Sequence, residues 1–400
     1  MRTSALPLAL LHLAKAAAFT IGLTGDVNLN PSLKGSTTWP EYVWGDVIRY
    51  TTAVDLMAIQ HEGTLAGILD PNPQTIQFED PLNYTATYAA AGIDFIAIAN
   101  NHQFDYGWRG IDGTERTLAA MGIPYGGIGR TAAAVRRPVE VRGGKIDVAF
   151  FSVVIDECWK WPNGTLYLDG CTCGASANPS RTPPYQCYAA NESQRAFGLW
   201  YRFNITDEFI AEVAVTVKAY KDAHPETLVV CYLHVGPNFQ WTPYAEHEHL
   251  LRNISRGADL VWGTSSHHIQ RFEVFEGTPI IYGLGDFLFR HVVGVEDWCP
   301  IYARPCSDYR PELSLMYIFE VDTDDDGRPS VSLGNISAIG TKHDHTRTNV
   351  ATDADDVAWI LRAFGRQARG ARLVPSVAEP GRYRVDVERS VSHAAGAMAR

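Results

Sequence analysis

Five apolar runs in this chain each empty into a carboxylate, an amide or an imidazole, and that repetition restricts the folds open to it. Residues 19–24 lead into Gly25-Asp26, residues 55–59 into Gln60-His61-Glu62, and residues 92–98 into Ala99-Asn100-Asn101-His102. Further on, residues 227–233 lead into His234, and residues 259–262 into Gly263-Thr264-Ser265-Ser266-His267-His268. Such runs read as strands. In a parallel sheet their carboxyl ends lie along one edge, where side chains are held by the sheet yet open to ligands. Taken alone, Asn100 and Asn101 are equally well read as caps of the next helix. Five such ends together point instead to a cluster of Asp, Glu, Asn and His, which suits one or two divalent ions such as Mn, Fe or Zn. A thiolate site would need cysteine at these ends, and none stands there.

Helix-compatible stretches at 41–52, 80–91, 111–121, 207–223 and 244–256 alternate with the strands, giving a layered α/β class. Gly126-Gly127-Ile128-Gly129 lacks a dinucleotide fingerprint and a following Lys-Ser/Thr, so it reads as a turn. Residues 314–321 and 330–338 read as two strands joined by Asp322-Thr323-Asp324-Asp325-Asp326-Gly327. That joint begins like a calcium loop, but its twelfth position is Leu333 and not Glu, which leaves a hairpin turn. Residues 351–369 form a closing helix, and from Glu379 onward the absence of any period predicts disorder.

The ordered motifs carry a resemblance. They are Gly25-Asp26, Gln60-His61-Glu62, Ala99-Asn100-Asn101-His102 with Asp105-Tyr106-Gly107, His234-Val235-Gly236-Pro237-Asn238, Ser265-Ser266-His267-His268 and Tyr282-Gly283-Leu284-Gly285-Asp286-Phe287. Over residues 19–291 they resemble the CapA family of poly-gamma-glutamate capsule accessory proteins, similar in fold to calcineurin-like metallophosphoesterases. The resemblance implies a layered sandwich in which Asp26, Glu62, Asn101, His234 and His267 are metal ligands and His102 faces the leaving group. Thr264 stands where the family has His, which removes one expected imidazole and weakens the second metal position. His61, His268 and Asp286 are the candidates to replace it. The implied activity is metal-dependent hydrolysis of a phosphoester, or less favourably of a gamma-glutamyl bond, with His102 donating a proton. The alternative is a non-catalytic accessory protein that binds or escorts an anionic extracellular polymer.

The expected organisation is a signal peptide at 1–18, a main domain at 19–340 with a Cys-rich insertion at 156–203, an extension with a helix at 341–378, and a disordered tail at 379–400. Arg2, the apolar run 5–13 and Ala16-Ala17-Ala18 form the export signal. No later run has the length of a membrane span, so the mature protein is expected to be secreted and soluble. Six Asn-x-Ser/Thr patterns, at Asn83, Asn163, Asn191, Asn204, Asn253 and Asn335, are compatible with glycosylation.

Cys158, Cys171, Cys173 and Cys187 crowd the insertion, Cys299 and Cys306 flank a short loop, and Cys231 sits alone in an apolar run. That pattern predicts three disulfides and one buried thiol. The rival, a zinc knuckle on Cys171-Thr172-Cys173, has too short a gap. A formal net charge of −11 without clustered Lys and Arg excludes nucleic acid as a partner. It also opposes an anionic polymer, a repulsion that bound divalent cations would partly offset. His247-Glu248-His249, two residues apart on a helix, reads as a solvated face. His343-Asp344-His345 joins the site only if its loop folds back.

Overall fold

The computed structural model describes residues 18–29, 41–67, 85–103, 107–129, 131–155, 201–202, 205–237, 240–289 and 309–388. Its first strands are β1 (Phe19–Val27), β2 (Leu56–His61), β3 (Phe95–Ala97), β4 (Tyr125–Gly126), β5 (Val139–Arg142) and β6 (Asp147–Ile155). There follow β7 (Tyr201–Arg202), β8 (Leu228–Val235), β9 (Leu260–Thr264), β10 (Phe272–Phe275), β11 (Thr278–Ile281) and β12 (Asp286–Leu288). The last are β13 (Leu313–Thr323), β14 (Pro329–His343), β15 (Thr348–Val350), β16 (Ala371–Pro375) and β17 (Arg382–Val387). The helices are α1 (Ile48–Thr51), α2 (Ala86–Ala90), α3 (Gly107–Met121), α4 (Ala132–Val135), α5 (Asp207–Ala223), α6 (Ala245–Ile254) and α7 (Ala354–Gln367).

Two sheets result. The first runs β16-β17-β14-β13-β1-β2-β3-β4, with β12 on β1 and β15 on β14. The second runs β10-β11-β9-β8-β6-β5, with β7 on β6. Strands β1 to β4 pair in parallel, as do β6, β8, β9 and β11. Strand β8, Leu-Val-Val-Cys-Tyr-Leu-His-Val, is buried along its whole length, as a central parallel strand covered on both faces must be.

Alternation along each strand sends one set of side chains between the sheets and the other outward. Ile21, Leu23 and Phe95 of the first sheet share a core with Phe150, Tyr232 and Trp262 of the second. Phe95 and Phe150 stack with centroids 3.9 Å apart, and the Trp262 indole N–H donates to the Thr24 carbonyl at 2.9 Å. Outside the first sheet, Tyr50, Tyr88 and Leu118 from α1, α2 and α3 pack on Met57, Ile59 and Ile96. Outside the second, Val213 and Val217 of α5 and Leu250 and Ile254 of α6 pack on Val229, Cys231 and Val261. The layers are therefore helix, sheet, sheet, helix, an α/β architecture.

Helix α5 starts where the Thr206 side chain accepts from the Phe209 N–H, with Asp207 and Glu208 in the first turn and Lys221 in the last. Each complements the peptide dipoles at its end. The 322–327 joint is the expected hairpin between β13 and β14, with Asp324 Oδ1 accepting the N–H groups of Asp326 and Arg328.

The expected boundaries at the C-terminal end are corrected. Strand β14 continues through residue 340 to His343, and Trp359, Ile360 and Phe364 of α7 enter the core between the sheets. Residues 382–387 are not disordered but form β17, in which Tyr383 and Val385 are buried opposite Ala338 and Ile336. Tyr383, Val385 and Val387 alternate strictly with Arg382, Arg384 and Asp386, the period-two pattern of a half-buried strand, which the expectation of disorder overlooked and which pairing with β14 holds in place. Cys231 is a buried free thiol. Residues 1–17 of the signal segment, residues 156–200 of the insertion and the other six cysteines lie outside the described residues, while Tyr201–Arg202 at the end of the insertion form β7 on β6. Among the described residues, no helix is long and apolar enough to cross a membrane.

Candidate metal centre

Asp26 lies where β1 changes partner, from antiparallel β13 to parallel β12, so that Asp26 and Asp286 become register neighbours. The approach depends on two glycines. A Cβ built on Gly25 would stand 1.8 Å from the Gly285 carbonyl oxygen, and Gly285 itself has φ +93°. That same carbonyl accepts the Asp26 N–H at 3.1 Å. Two buried carboxylates are thus held side by side by backbone contacts that only glycine permits.

Donor atoms of Asp26, Glu62 and His234 lie within 4.8 Å of one another, and so do those of Asp26, His267 and Asp286. Asp26 is common to both groups. Asn101 adds an amide oxygen, with Oδ1 3.0 Å from His234 Nε2. Two donors at right angles around one ion, each ~2.1 Å from it, stand ~3 Å apart, so this spacing suits neighbouring ligands. Carboxylates, an amide oxygen and imidazoles fit Mn, Fe or Zn.

The loops that present these groups are tightly specified. Ser265 and His267 adopt φ of 80° and 55°, a sparsely populated region for residues with side chains. The Ser265 N–H donates to Asp26 Oδ2 at 3.1 Å. Asn100 is a buried tether and not a helix cap: its amide donates to the His61 carbonyl at 2.7 Å, and its Oδ1 accepts from the His102 N–H at 3.0 Å. The two asparagines therefore divide labour, Asn100 joining the ends of β2 and β3 while Asn101 turns to His234. His102 lies at the rim, its side chain 18% exposed and its Nε2 3.7 Å from Glu62 Oε1.

Crowded charge governs protonation here. Burial pushes the Asp26 carboxyl up to about 7, with Asp286 adding to the rise and His267 opposing it. For His267, burial alone would lower the pKa, but the Asp286, Glu62 and Asp26 carboxylates override it and lift it to about 10. Its Nδ1 is 2.8 Å from Asp286 Oδ1. His234 is held well below its ordinary value by burial and then by the other two imidazoles, and so is neutral. In the metal-free protein the His267 proton does the charge compensation that a cation would otherwise do, so metal uptake is coupled to proton release.

The candidate replacements for position 264 separate cleanly. Asp286 enters a donor group; His61 and His268 do not. His61 precedes Glu62 and therefore points to the opposite face, where its Nδ1 meets the Tyr88 hydroxyl at 2.7 Å. His268 turns its Nδ1 to the Ser266 carbonyl at 3.1 Å and its ring to Trp241. His247 is buried, contrary to the expected solvated face, and Glu248 pairs with Arg271 and Arg252. The loop 343–345 does fold back: His345 Nδ1 is 3.1 Å from the Phe289 carbonyl, and the Phe289 ring lies 5.0 Å from that of His267. It walls the site without entering either donor group.

Burial pushes the His61 pKa down to about 3. Below the unfolded pKa of ~6.5 the unfolded chain takes up a proton that the folded state refuses. Stability carried by this group is thus complete above that value and lost as pH falls toward 3. His61→Gln is expected to reduce the loss of stability between pH 7 and pH 5 by about 2 kcal/mol, read from urea midpoints with chelator present. An unchanged pH dependence in the variant would remove His61 from the account.

With this geometry in hand, comparison with known proteins is direct. Residues 20–291 match the family of bacterial capsule synthesis protein PGA_cap. The chain belongs to the PGA_cap family. This PGA_cap chain is 27% identical over 364 residues to a Mycobacterium tuberculosis protein named "Probable polyglutamine synthesis accessory protein", covering 88% of this chain and 84% of that one. It is also 23% identical over 200 residues to capsule biosynthesis protein CapA of Bacillus anthracis, covering 50% of this chain and 41% of the relative. The motif resemblance over 19–291 and the family match over 20–291 coincide.

One residue beside the PGA_cap donor groups was passed over in the sequence. Tyr232 stands two before His234 on β8 and so shares its face. Period two was the available signal.

Proposed function

We propose that this protein is a metal-dependent hydrolase of phosphoester bonds that serves the synthesis of a cell-surface or extracellular anionic polymer. The observation that supports this most is the pair of buried donor groups sharing Asp26, with His102 at their rim. Asp26, Glu62, Asn101 and His234 would hold one divalent ion, and Asp26, His267 and Asp286 a second. Such ions, when bound, supply Lewis acidity and neutralise charge on a phosphoryl group. His102, partly open to solvent, is placed to carry a proton at Nε2 and deliver it to a leaving oxygen. A gamma-glutamyl bond is the less favoured substrate. The export signal makes the mature protein secreted.

The names of the relatives favour a second reading, in which the protein binds or escorts a polyglutamate-like chain without cleaving it. Metal analysis after supplementation, with a screen of phosphomonoesters, phosphodiesters and gamma-glutamyl peptides, separates the two. Metal loading with turnover is the expected result. His102→Ala should then keep its metal and lose ~100- to 10,000-fold in rate. Metal loading without turnover of any phosphoester would transfer the conclusion to the escort role.

A further inference from the structure

Thr264 occupies the position where an imidazole was expected, and its surroundings show a different device. The Tyr232 hydroxyl is 3.1 Å from Thr264 Oγ1, and both oxygens are 3.2 Å from His234 Nδ1. All three residues are buried. The register of β8 and β9 pairs His234 with Thr264 directly, and Tyr232 shares the His234 face, so the triangle is built by strand geometry and not by a loop.

A neutral imidazole has one N–H and one lone pair, and the partner of one nitrogen decides which is which. On the Nδ1 side stand two hydroxyls, each able to donate or to accept. On the Nε2 side stands the Asn101 amide, whose Oδ1 lies at 3.0 Å and can only accept, so that without a metal the ring carries its proton on Nε2. We infer that Tyr232 and Thr264 are positioning residues for His234: a hydroxyl donates to Nδ1 while Nε2–H meets Asn101, and the pair turns to accept Nδ1–H when a cation takes the Nε2 lone pair, so the ring orientation is held in both states. The inference rests on the metal reading above and says how this chain holds one ligand without an imidazole at 264.

Tyr232→Phe keeps the ring against Trp262, whose centroid is 4.8 Å away, and Thr264→Val keeps the shape of its side chain. The double variant is therefore expected to fold, checked by its denaturation midpoint, while both acceptors are gone. Titration with Mn²⁺ should show the ion held by His234 bound 10- to 100-fold more weakly, the scale for loss of a hydrogen-bond partner behind a ligand, and a smaller loss at the other, because Thr264 also hydrogen-bonds Asp26, which both share. Reversion at 264 to Ser, giving Thr264→Ser in the Tyr232→Phe background, should restore part of that affinity. Long-range ¹⁵N–¹H spectra should find His234 as the Nε2–H tautomer in the metal-free wild type and as the Nδ1–H tautomer once Zn²⁺ is bound, with that Nδ1–H exchanging faster with water in the double variant. An Nε2–H tautomer in the Zn²⁺-loaded wild type, or wild-type affinity for both ions in the double variant, overturns the inference. Failure of the wild type to bind Mn²⁺ overturns the metal reading, while an Nδ1–H tautomer in the metal-free protein would by itself overturn the donating role of the hydroxyl pair.

Discussion

Asp26→Asn is expected to abolish binding of both divalent ions and at the same time to stabilise the metal-free protein at neutral pH. The first effect follows from position, since Asp26 is the residue common to both donor groups. Loss of a shared ligand weakens both positions, and a fall below ~0.2 metal atoms per chain after supplementation is the expected reading. The second effect follows from electrostatics. Burial and the Asp286 carboxylate raise the Asp26 pKa to about 7, against 3.8 for the free group. The folded state thus binds the proton more tightly than the unfolded state, and this group's contribution to stability falls as pH rises from about 4 to 7. An amide of the same shape has no charge to desolvate. Above pH 7 the chelated variant should therefore melt at a higher temperature than the chelated wild type, while the metal-supplemented wild type exceeds both. A variant that retained both ions would show that the two groups do not share this carboxylate.

Gly25→Ala should be the most damaging single methyl that can be added near the site. The added Cβ would meet the Gly285 carbonyl oxygen at 1.8 Å and its carbon at 2.9 Å, both backbone atoms that cannot rotate away. Strands β1 and β12 would have to part, breaking the Asp26 N–H to Gly285 carbonyl bond and the alignment of Asp26 with Asp286. Overpacking of this kind costs about 3 kcal/mol or more, and the metal should be lost with the register. Gly334→Ala is the control: it lies in β14 with no atom within 4 Å of the added methyl. Urea midpoints should fall sharply for the first and stay near wild type for the second. Similar midpoints would mean that β1 and β12 tolerate separation.

Much of the site was legible because parallel strands deliver their carboxyl ends to one edge whatever the intervening loops do. Asp26, Glu62, Asn101, His234 and His267 each follow an apolar run, and the structure gathers them. What alternation could also have told is that His61 and Glu62 face opposite ways and that Tyr232 and His234 face the same way. The helices at 207–223 and 244–256 were visible through periodicity; α5 spans the expected residues and α6 lies within the expected stretch. The C-terminal strand carried a signal that was missed: Tyr383, Val385 and Val387 alternate with charged residues over 382–387, although the partner that buries them, β14, lies some forty residues earlier in the chain.

The amino-acid sequence by itself determined the α/β layering, the edge on which the polar residues collect, and membership of a capsule-synthesis family, since strand runs and their terminal residues are local properties. Only the tertiary structure decided which residues meet. Asp286 joins Asp26 because β12 docks beside β1 at Gly25 and Gly285, a contact between residues 260 apart in sequence that no local pattern encodes. The hydroxyl of Thr264 reaches His234 because β8 and β9 lie in register, so that the loss of an imidazole in the sequence becomes, in three dimensions, a hydrogen-bonded support for another.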